Sequence, residues 1–108
     1  MRVLAPPRFG LEIVPDRERI SVRLSGELDV ATVDRVRDCV RDLWASGWPD
    51  VAIDVTHIDF IDSTGLAMLV WLCDRAGPGH RRPVISGTSP ALERLVTVSG
   101  LEHVLPRA

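Results

Sequence analysis

The segment from Asp59 to Leu66 combines two acids, two hydroxyls and a glycine, and it ends where a helical pattern begins. Apolar residues then recur on one helical face, at Leu66, Leu69, Val70 and Cys73. Ser63 and Thr64 are therefore expected at a helix N-terminus, where backbone N–H groups lack partners and the dipole favours negative charge. A hydroxyl in that position either caps the helix or is exposed as a modification site whose phosphate the helix can accept.

Other reactive chemistry is poorly supported by the sequence. A hydrolase would need Ser63 paired with a histidine, but there is no Gly-x-Ser-x-Gly motif and His57 is the only histidine nearby. The 77–79 segment, Gly-Pro-Gly, lacks the spacing and the lysine of a phosphate-binding loop. There is no Cys-x-x-Cys, and no histidine has an i+3 or i+4 partner. We therefore expect a binding module, not an enzyme, with no cofactor and no metal.

The composition predicts a single globular domain, residues 1–108, with a loose lead-in over 1–10. The 108 residues are 45% hydrophobic and 26% charged, with a net charge of −2. That charge provides no basic face for nucleic acid, and the apolar runs are too short to span a bilayer. No signal-peptide core is present, so we expect a cytoplasmic protein that binds neither nucleic acid nor membrane. Cys39 and Cys73 fall on apolar helical faces and are expected to be small buried hydrophobes.

Hydrophobic periodicity locates the secondary structure that must position Ser63. Alternation or short apolar runs predict strands at Leu11–Val14, Arg19–Leu28, Val51–Val55 and Pro83–Ser86. Apolar residues at helical spacing predict helices at Ala31–Ser46, Thr64–Arg75 and Pro90–Val98. Ser89 and Pro90 are a favourable helix start, and Gly100 is a favourable left-handed cap at the other end.

This order, β-β-α-β-α-β-α, predicts an α/β fold. We expect a mixed sheet of four or five strands, with an N-terminal antiparallel hairpin and about three packed helices. The predicted core residues are Leu24, Val36, Val40, Ile53, Leu66, Leu69 and Leu95.

Three segments, in this order and spacing, resemble the STAS domains and, more narrowly, the bacterial anti-sigma factor antagonists. They are Gly26-Glu27-Leu28-Asp29, the Asp59–Leu66 segment, and Ser89-Pro90 through Ser99-Gly100-Leu101. The likeness covers the chain from about Leu11 to Leu105. The family usually continues with a last strand and a C-terminal helix, whereas Pro106 here limits any final strand to a stub.

The resemblance implies a function and a site. In the family, the first serine of the Asp-Ser-(Ser/Thr)-Gly motif is phosphorylated by an anti-sigma factor that is also a serine kinase, and a phosphatase reverses this. The matching residue is Ser63, with Thr64 the lesser candidate, and the partner-binding set would be Asp29, Asp62, Ser63, Thr64 and Gly65. The unphosphorylated antagonist binds the anti-sigma factor and frees a sigma factor.

Two questions stay open at the level of sequence. The same fold also serves as a STAS scaffold or as a transporter- or lipid-transport-associated subunit without sigma control. We expect a monomer or a weak homodimer, since a second copy could cover whatever the short C-terminus leaves exposed.

Overall fold

The computed structural model describes residues 8–17, 19–76, 79 and 81–108. Its four strands are β1 (Phe9–Asp16), β2 (Arg19–Leu28), β3 (Asp50–Ile61) and β4 (Val84–Ser86). Its three helices are α1 (Val33–Ala45), α2 (Ser63–Cys73) and α3 (Pro90–Ser99). The strands form one sheet in the order β1-β2-β3-β4, with β1 antiparallel to β2 and the remaining pairs parallel. The predicted fold class is confirmed.

The N-terminal hairpin is longer than its apolar alternation predicted. β1 starts at Phe9, inside the segment expected to be a loose lead-in, while residues 1–7 lie outside the described part of the chain. Pro15 and Asp16, which follow the predicted Leu11–Val14 strand, also belong to β1, and the turn includes Arg17, which has a positive φ of 50°. A proline is tolerated there because β1 is an edge strand whose alternate N–H groups need no partner.

Strand β3 extends six residues beyond the predicted Val51–Val55 segment. Its second half carries polar residues, so hydrophobicity alone underestimated the length. Backbone pairing with the parallel strand β2 stabilises this second half, because the pairing continues through two register shifts to the Leu28–Ile61 pair. The extension matters because it brings the end of β3 level with the end of β2.

One face of the sheet is buried beneath the helices, and the other is largely open. Alternate residues of β2 are almost fully buried, at Ile20, Val22 and Leu24, whereas Arg23 between them is exposed. Six of the seven predicted core residues are buried. Leu95 is the exception: it is only partly buried, and α3 instead inserts Leu92 and Val96 into the core.

The helix boundaries differ from the predictions by one or two residues at most ends. α1 begins at Val33 instead of Ala31, because Asp29 to Thr32 form a hydrogen-bonded turn that precedes it. α2 ends at Cys73. At α3 the predicted caps are confirmed: Ser89 Oγ accepts a hydrogen bond from the Leu92 N–H at 3.1 Å, and Gly100 is left-handed with φ 69°.

The predicted terminal stub pairs with the outer edge of β4. The Ile85 N–H donates to the Pro106 carbonyl, and the Ala108 N–H donates to the Ile85 carbonyl, each at 2.8 Å. A single parallel bridge joins Ile85 to Arg107, whose guanidinium contacts Glu93 of α3 at 2.6 Å. These contacts cover the outer edge of β4 at Ile85.

Candidate functional site

The predicted site residues meet at the carboxyl ends of the two central strands. Leu28 of β2 and Ile61 of β3 are cross-strand partners in a parallel pair. Asp29 and Asp62 directly follow them, so the two acids leave the sheet side by side although 32 residues separate them in sequence. This is the edge at which parallel α/β sheets place their functional loops.

Asp62, not a hydroxyl, caps helix α2. Its backbone is extended, and its Oδ1 accepts a hydrogen bond from the Gly65 N–H at 2.8 Å, while its carbonyl accepts from the Leu66 N–H. The carboxylate also places negative charge at the positive end of the helix dipole. Capping, one of the two roles that the sequence left open for these hydroxyls, therefore accounts for neither Ser63 nor Thr64.

Gly65 is required by close packing and not by an unusual backbone conformation. It is buried, and a Cβ on it would lie 2.5 Å from the Leu28 carbonyl oxygen and 2.9 Å from Ile61 Cγ1. Such distances are shorter than van der Waals contact, so only glycine lets the first turn of α2 rest against the ends of β2 and β3. This contact holds the first turn of α2, which carries Ser63, against the ends of β2 and β3.

Asp29 organises the loop between β2 and α1. Its Oδ1 accepts from the Ala31 N–H at 2.9 Å, and the Thr32 hydroxyl donates to the Glu27 carbonyl at 3.0 Å. Together with the bonds from the Thr32 and Val33 N–H groups to the Asp29 carbonyl, these close the turn. Asp29 is half-buried, and this turn fixes its backbone beside the end of β3, after which Asp62 follows.

Ser63 and Thr64 are both exposed at the first two positions of α2. Within the described residues, neither hydroxyl has a hydrogen-bond partner, and their backbone N–H groups have no acceptor. Two unpaired donors at the positive end of a helix form a favourable setting for an anion. The Ser63 hydroxyl is thus exposed, has no hydrogen-bond partner among the described residues, and lies next to N–H groups that could stabilise a phosphate.

Two exposed apolar side chains lie at this edge, and no sequence motif pointed to them. Val30, at the tip of the β2–α1 loop, is 72% exposed, and Phe60 is 50% exposed. Phe60 lines a groove of about 270 Å³ between β3 and α3, together with Arg94 and Val98. The available signal was an apolar residue directly after an acid, at Val30 after Asp29 in the β2–α1 loop and at Phe60 after Asp59 near the end of β3.

Asp54 on the open face of the sheet has a structural role that the sequence did not reveal. Its Oδ1 accepts hydrogen bonds from the Thr56 hydroxyl at 2.6 Å and from the Thr56 N–H at 3.0 Å, and Arg23 lies 3.7 Å away. Partial burial acts to raise the pKa of Asp54, but the Thr56 bonds and the charges of Arg23 and His57 outweigh it and hold the pKa below its usual value. These contacts connect β3 with Arg23 of the neighbouring strand β2.

The hydrolase alternative required Ser63 to pair with His57, the histidine nearest to it in sequence. His57 lines a shallow groove with Glu12 and Arg23 on the open face, and within the described residues it makes no hydrogen bond to Ser63. The described residues contain no group of three or more metal-binding side chains. Nor does any helix among them have the length and apolar character needed to cross a bilayer.

A family model described as the STAS domain matches residues 12–107, nearly the whole chain. The chain belongs to the STAS domain family. Curated relatives of this STAS domain include the anti-sigma-B factor antagonists of Staphylococcus epidermidis and Staphylococcus aureus. They are 26% and 27% identical to it over 97 residues, which is 90% of this chain and 90% of each relative.

Solved structures give the same result for the fold. An anti-sigma factor antagonist from Mycobacterium paratuberculosis superposes with a TM-score of 0.79 at 23% identity, covering 96% of this chain and 89% of that one. The unphosphorylated form of the anti-sigma factor antagonist SpoIIAA has a TM-score of 0.69 at 26% identity, covering 93% of this STAS domain and 87% of SpoIIAA. The Bacillus SpoIIAA structure in its phosphorylated form has a TM-score of 0.64, also at 26% identity, over 93% and 90% of the two chains.

Proposed function

We propose that this STAS domain is a non-enzymatic anti-sigma factor antagonist controlled by phosphorylation of Ser63. Its unphosphorylated form would bind an anti-sigma factor that is also a serine kinase, and so free a sigma factor in the cytoplasm. Phosphorylation would end the binding, and a serine phosphatase would restore it. The observation that carries the proposal is an exposed serine hydroxyl at a helix N-terminus whose capping role is already taken by Asp62.

The surroundings of Ser63 suit a protein partner. Asp29, Asp62, Thr64 and Gly65 would form the binding surface with it, and the exposed side chains of Val30 and Phe60 add apolar area at the same edge. Interfaces combine such apolar contacts with a polar rim. Antagonist relatives, and SpoIIAA structures in both phosphorylation states, support this assignment by similarity.

The expected effect of a phosphate follows from the same geometry. It adds about −1.5 to −2 charges beside Asp62 and near Asp29. The free N–H groups and the dipole of α2 can offset that charge within the domain, so the fold should survive. At the interface the phosphate would have to be desolvated among carboxylates, and binding should weaken by on the order of 100-fold, about 2.7 kcal/mol.

The experiment measures binding and modification together. Ser63→Ala should bind the anti-sigma kinase constitutively, and Ser63→Asp should bind it about 100-fold more weakly while melting like the parent protein. Equal affinity of these two variants would refute the switch. After incubation with kinase and ATP, intact-mass analysis should find one phosphate on the parent and on Thr64→Ala, and none on Ser63→Ala. Phosphate retained by Ser63→Ala and lost from Thr64→Ala would move the site to Thr64.

A further inference from the structure

The two outer edges of the sheet differ in their backbone pairing. The outer edge of β4 is paired with the C-terminal residues around Arg107. The outer edge of β1 has no partner in the described part of the chain, although β1 is eight residues long. An unpaired edge strand of that length is a template for a further strand unless something blocks it.

The hairpin register shows which groups β1 presents. The Glu27 N–H donates to the Arg8 carbonyl at 2.6 Å, and the register then stays constant to the Asp16–Arg19 pair. In an antiparallel ladder, hydrogen-bonded and non-bonded pairs alternate, so the even-numbered residues of β1 bond inward to β2. The N–H and carbonyl groups of Phe9, Leu11 and Ile13 therefore point away from β2. Pro15 is also odd-numbered, so its missing N–H removes no hydrogen bond to β2.

The face beside this edge is partly apolar and incompletely covered. Ile13 is 46% exposed, and with Leu11 it lines a groove of about 400 Å³ between β1 and helix α1. The helix side of the groove is formed by a stripe of residues at i, i+4, i+7 and i+11, namely Arg35, Cys39, Asp42 and Ser46. Such spacing places all four side chains on one side of α1, above the free edge.

The stripe carries one basic and one acidic residue, which a two-fold rotation would bring together between two copies of the chain. Arg35 and Asp42 are both exposed, and neither has an ion-pair partner among the described residues. Arg35 lies over the Phe9 ring, 5.0 Å from its centroid, while Asp42 lines the groove with Ile13 farther along β1. A two-fold axis at the midpoint, beside Leu11 and Cys39, would therefore bring Arg35 of one copy to Asp42 of the other.

We propose that β1 pairs antiparallel with β1 of a second copy about a two-fold axis at Leu11, which joins two four-stranded sheets into one. In this register Phe9 faces Ile13 of the other copy, and each such pair can exchange two backbone hydrogen bonds. It leaves Pro15 outside the bonded pairs and sets Glu12 opposite Gly10. Centring the axis on Glu12 would instead place two carboxylates face to face, which is destabilising.

The first test is the oligomeric state in solution. Sedimentation equilibrium up to about 100 µM should show a mass approaching twice 11.9 kDa. Ile13→Lys should raise the dissociation constant about tenfold or more, since lysine on an edge strand opposes pairing. Val104→Lys, a valine of the same 46% exposure outside β1, is the matched control and should remain dimeric. A monomeric parent protein, or a dimer that Ile13→Lys leaves intact, overturns the proposal.

Two further variants test the geometry. Arg35→Asp should weaken the dimer, and adding Asp42→Arg in the same chain should restore it, because the swapped charges again meet across the axis. Failure of the double variant to restore association overturns the two-fold arrangement. A short bismaleimide should cross-link the parent dimer through Cys39, since Cys73 is buried, and Cys39→Ser should abolish the product. A cross-link that persists in Cys39→Ser would place the interface elsewhere.

Discussion

Replacing Asp62 and Ser63 one at a time separates the structural role of the α2 N-terminus from its proposed regulatory role. In Asp62→Ala the 2.8 Å bond from the Gly65 N–H is lost, and with it the charge at the helix N-terminus. Loss of a helix cap costs about 1 kcal/mol, within a range of 0.5–2 kcal/mol. For a domain of this size each kcal/mol corresponds to a melting-temperature decrease of about 4–8 °C.

Two matched variants complete the experiment. Asp62→Asn keeps a good capping side chain and loses only the interaction with the helix dipole, so its cost should be about 0.3–1 kcal/mol. Ser63→Ala removes an exposed hydroxyl without a partner and should change stability by less than about 0.5 kcal/mol. Unfolding in urea, followed by the fluorescence of the three tryptophans, reports each free energy, with unchanged denaturant slopes as the check on two-state behaviour.

Two outcomes of this experiment would contradict the roles assigned to Asp62 and Ser63. If Ser63→Ala costs as much as Asp62→Ala, the hydroxyl caps the helix in solution and its exposure is not evidence for a modification site. If Asp62→Ala is neutral, the first turn of α2 is held by the packing of Gly65 alone.

The remaining predictions concern the core and the open face. Leu69→Ala should lower the unfolding free energy by about 2–5 kcal/mol because Leu69 is fully buried, whereas Leu95→Ala should cost clearly less, and equal losses in urea denaturation would contradict the burial pattern. The pKa of Asp54 is lowered in the folded state, so its stabilising contribution is present above the unfolded value of 3.8 and is lost as the pH falls through the folded pKa. The stability difference between the parent protein and Asp54→Asn should therefore be largest above about pH 5 and shrink in acid, and a difference independent of pH would contradict this account.

Much of the fold could be predicted because its signals are local. The alternation in β2 and the helical spacing in α1 depend on residues a few positions apart, and the helix-forming and capping preferences they express do not require a partner element. The caps of α3 belong to the same class: the Ser89 side chain reaches the Leu92 N–H three residues later, and Gly100 adopts the left-handed conformation that ends the helix. The Asp-Ser-Thr-Gly segment, on which the proposed site rests, is likewise a local pattern.

What the sequence left undecided depends on contacts between distant residues. Two candidate hydroxyls and a neighbouring acid could each have capped α2, and the extended backbone at Asp62, which its bond to the Leu28 carbonyl holds against β2, selected the acid. Likewise, helical spacing cannot distinguish Leu92 from Leu95 as the core residue of α3, because only the tilt of the helix on β3 turns one inward.

The position of the site is the clearest example. Asp29 lies beside Asp62 only because β2 and β3 are parallel and pair in a register that sets Leu28 opposite Ile61. That register includes irregularities which no local pattern encodes. Residue type and spacing were enough to propose which residues form the site, because both are local properties of the sequence. Strand pairing and packing, in contrast, set which of them are neighbours and left the capping of α2 to Asp62 and to neither hydroxyl.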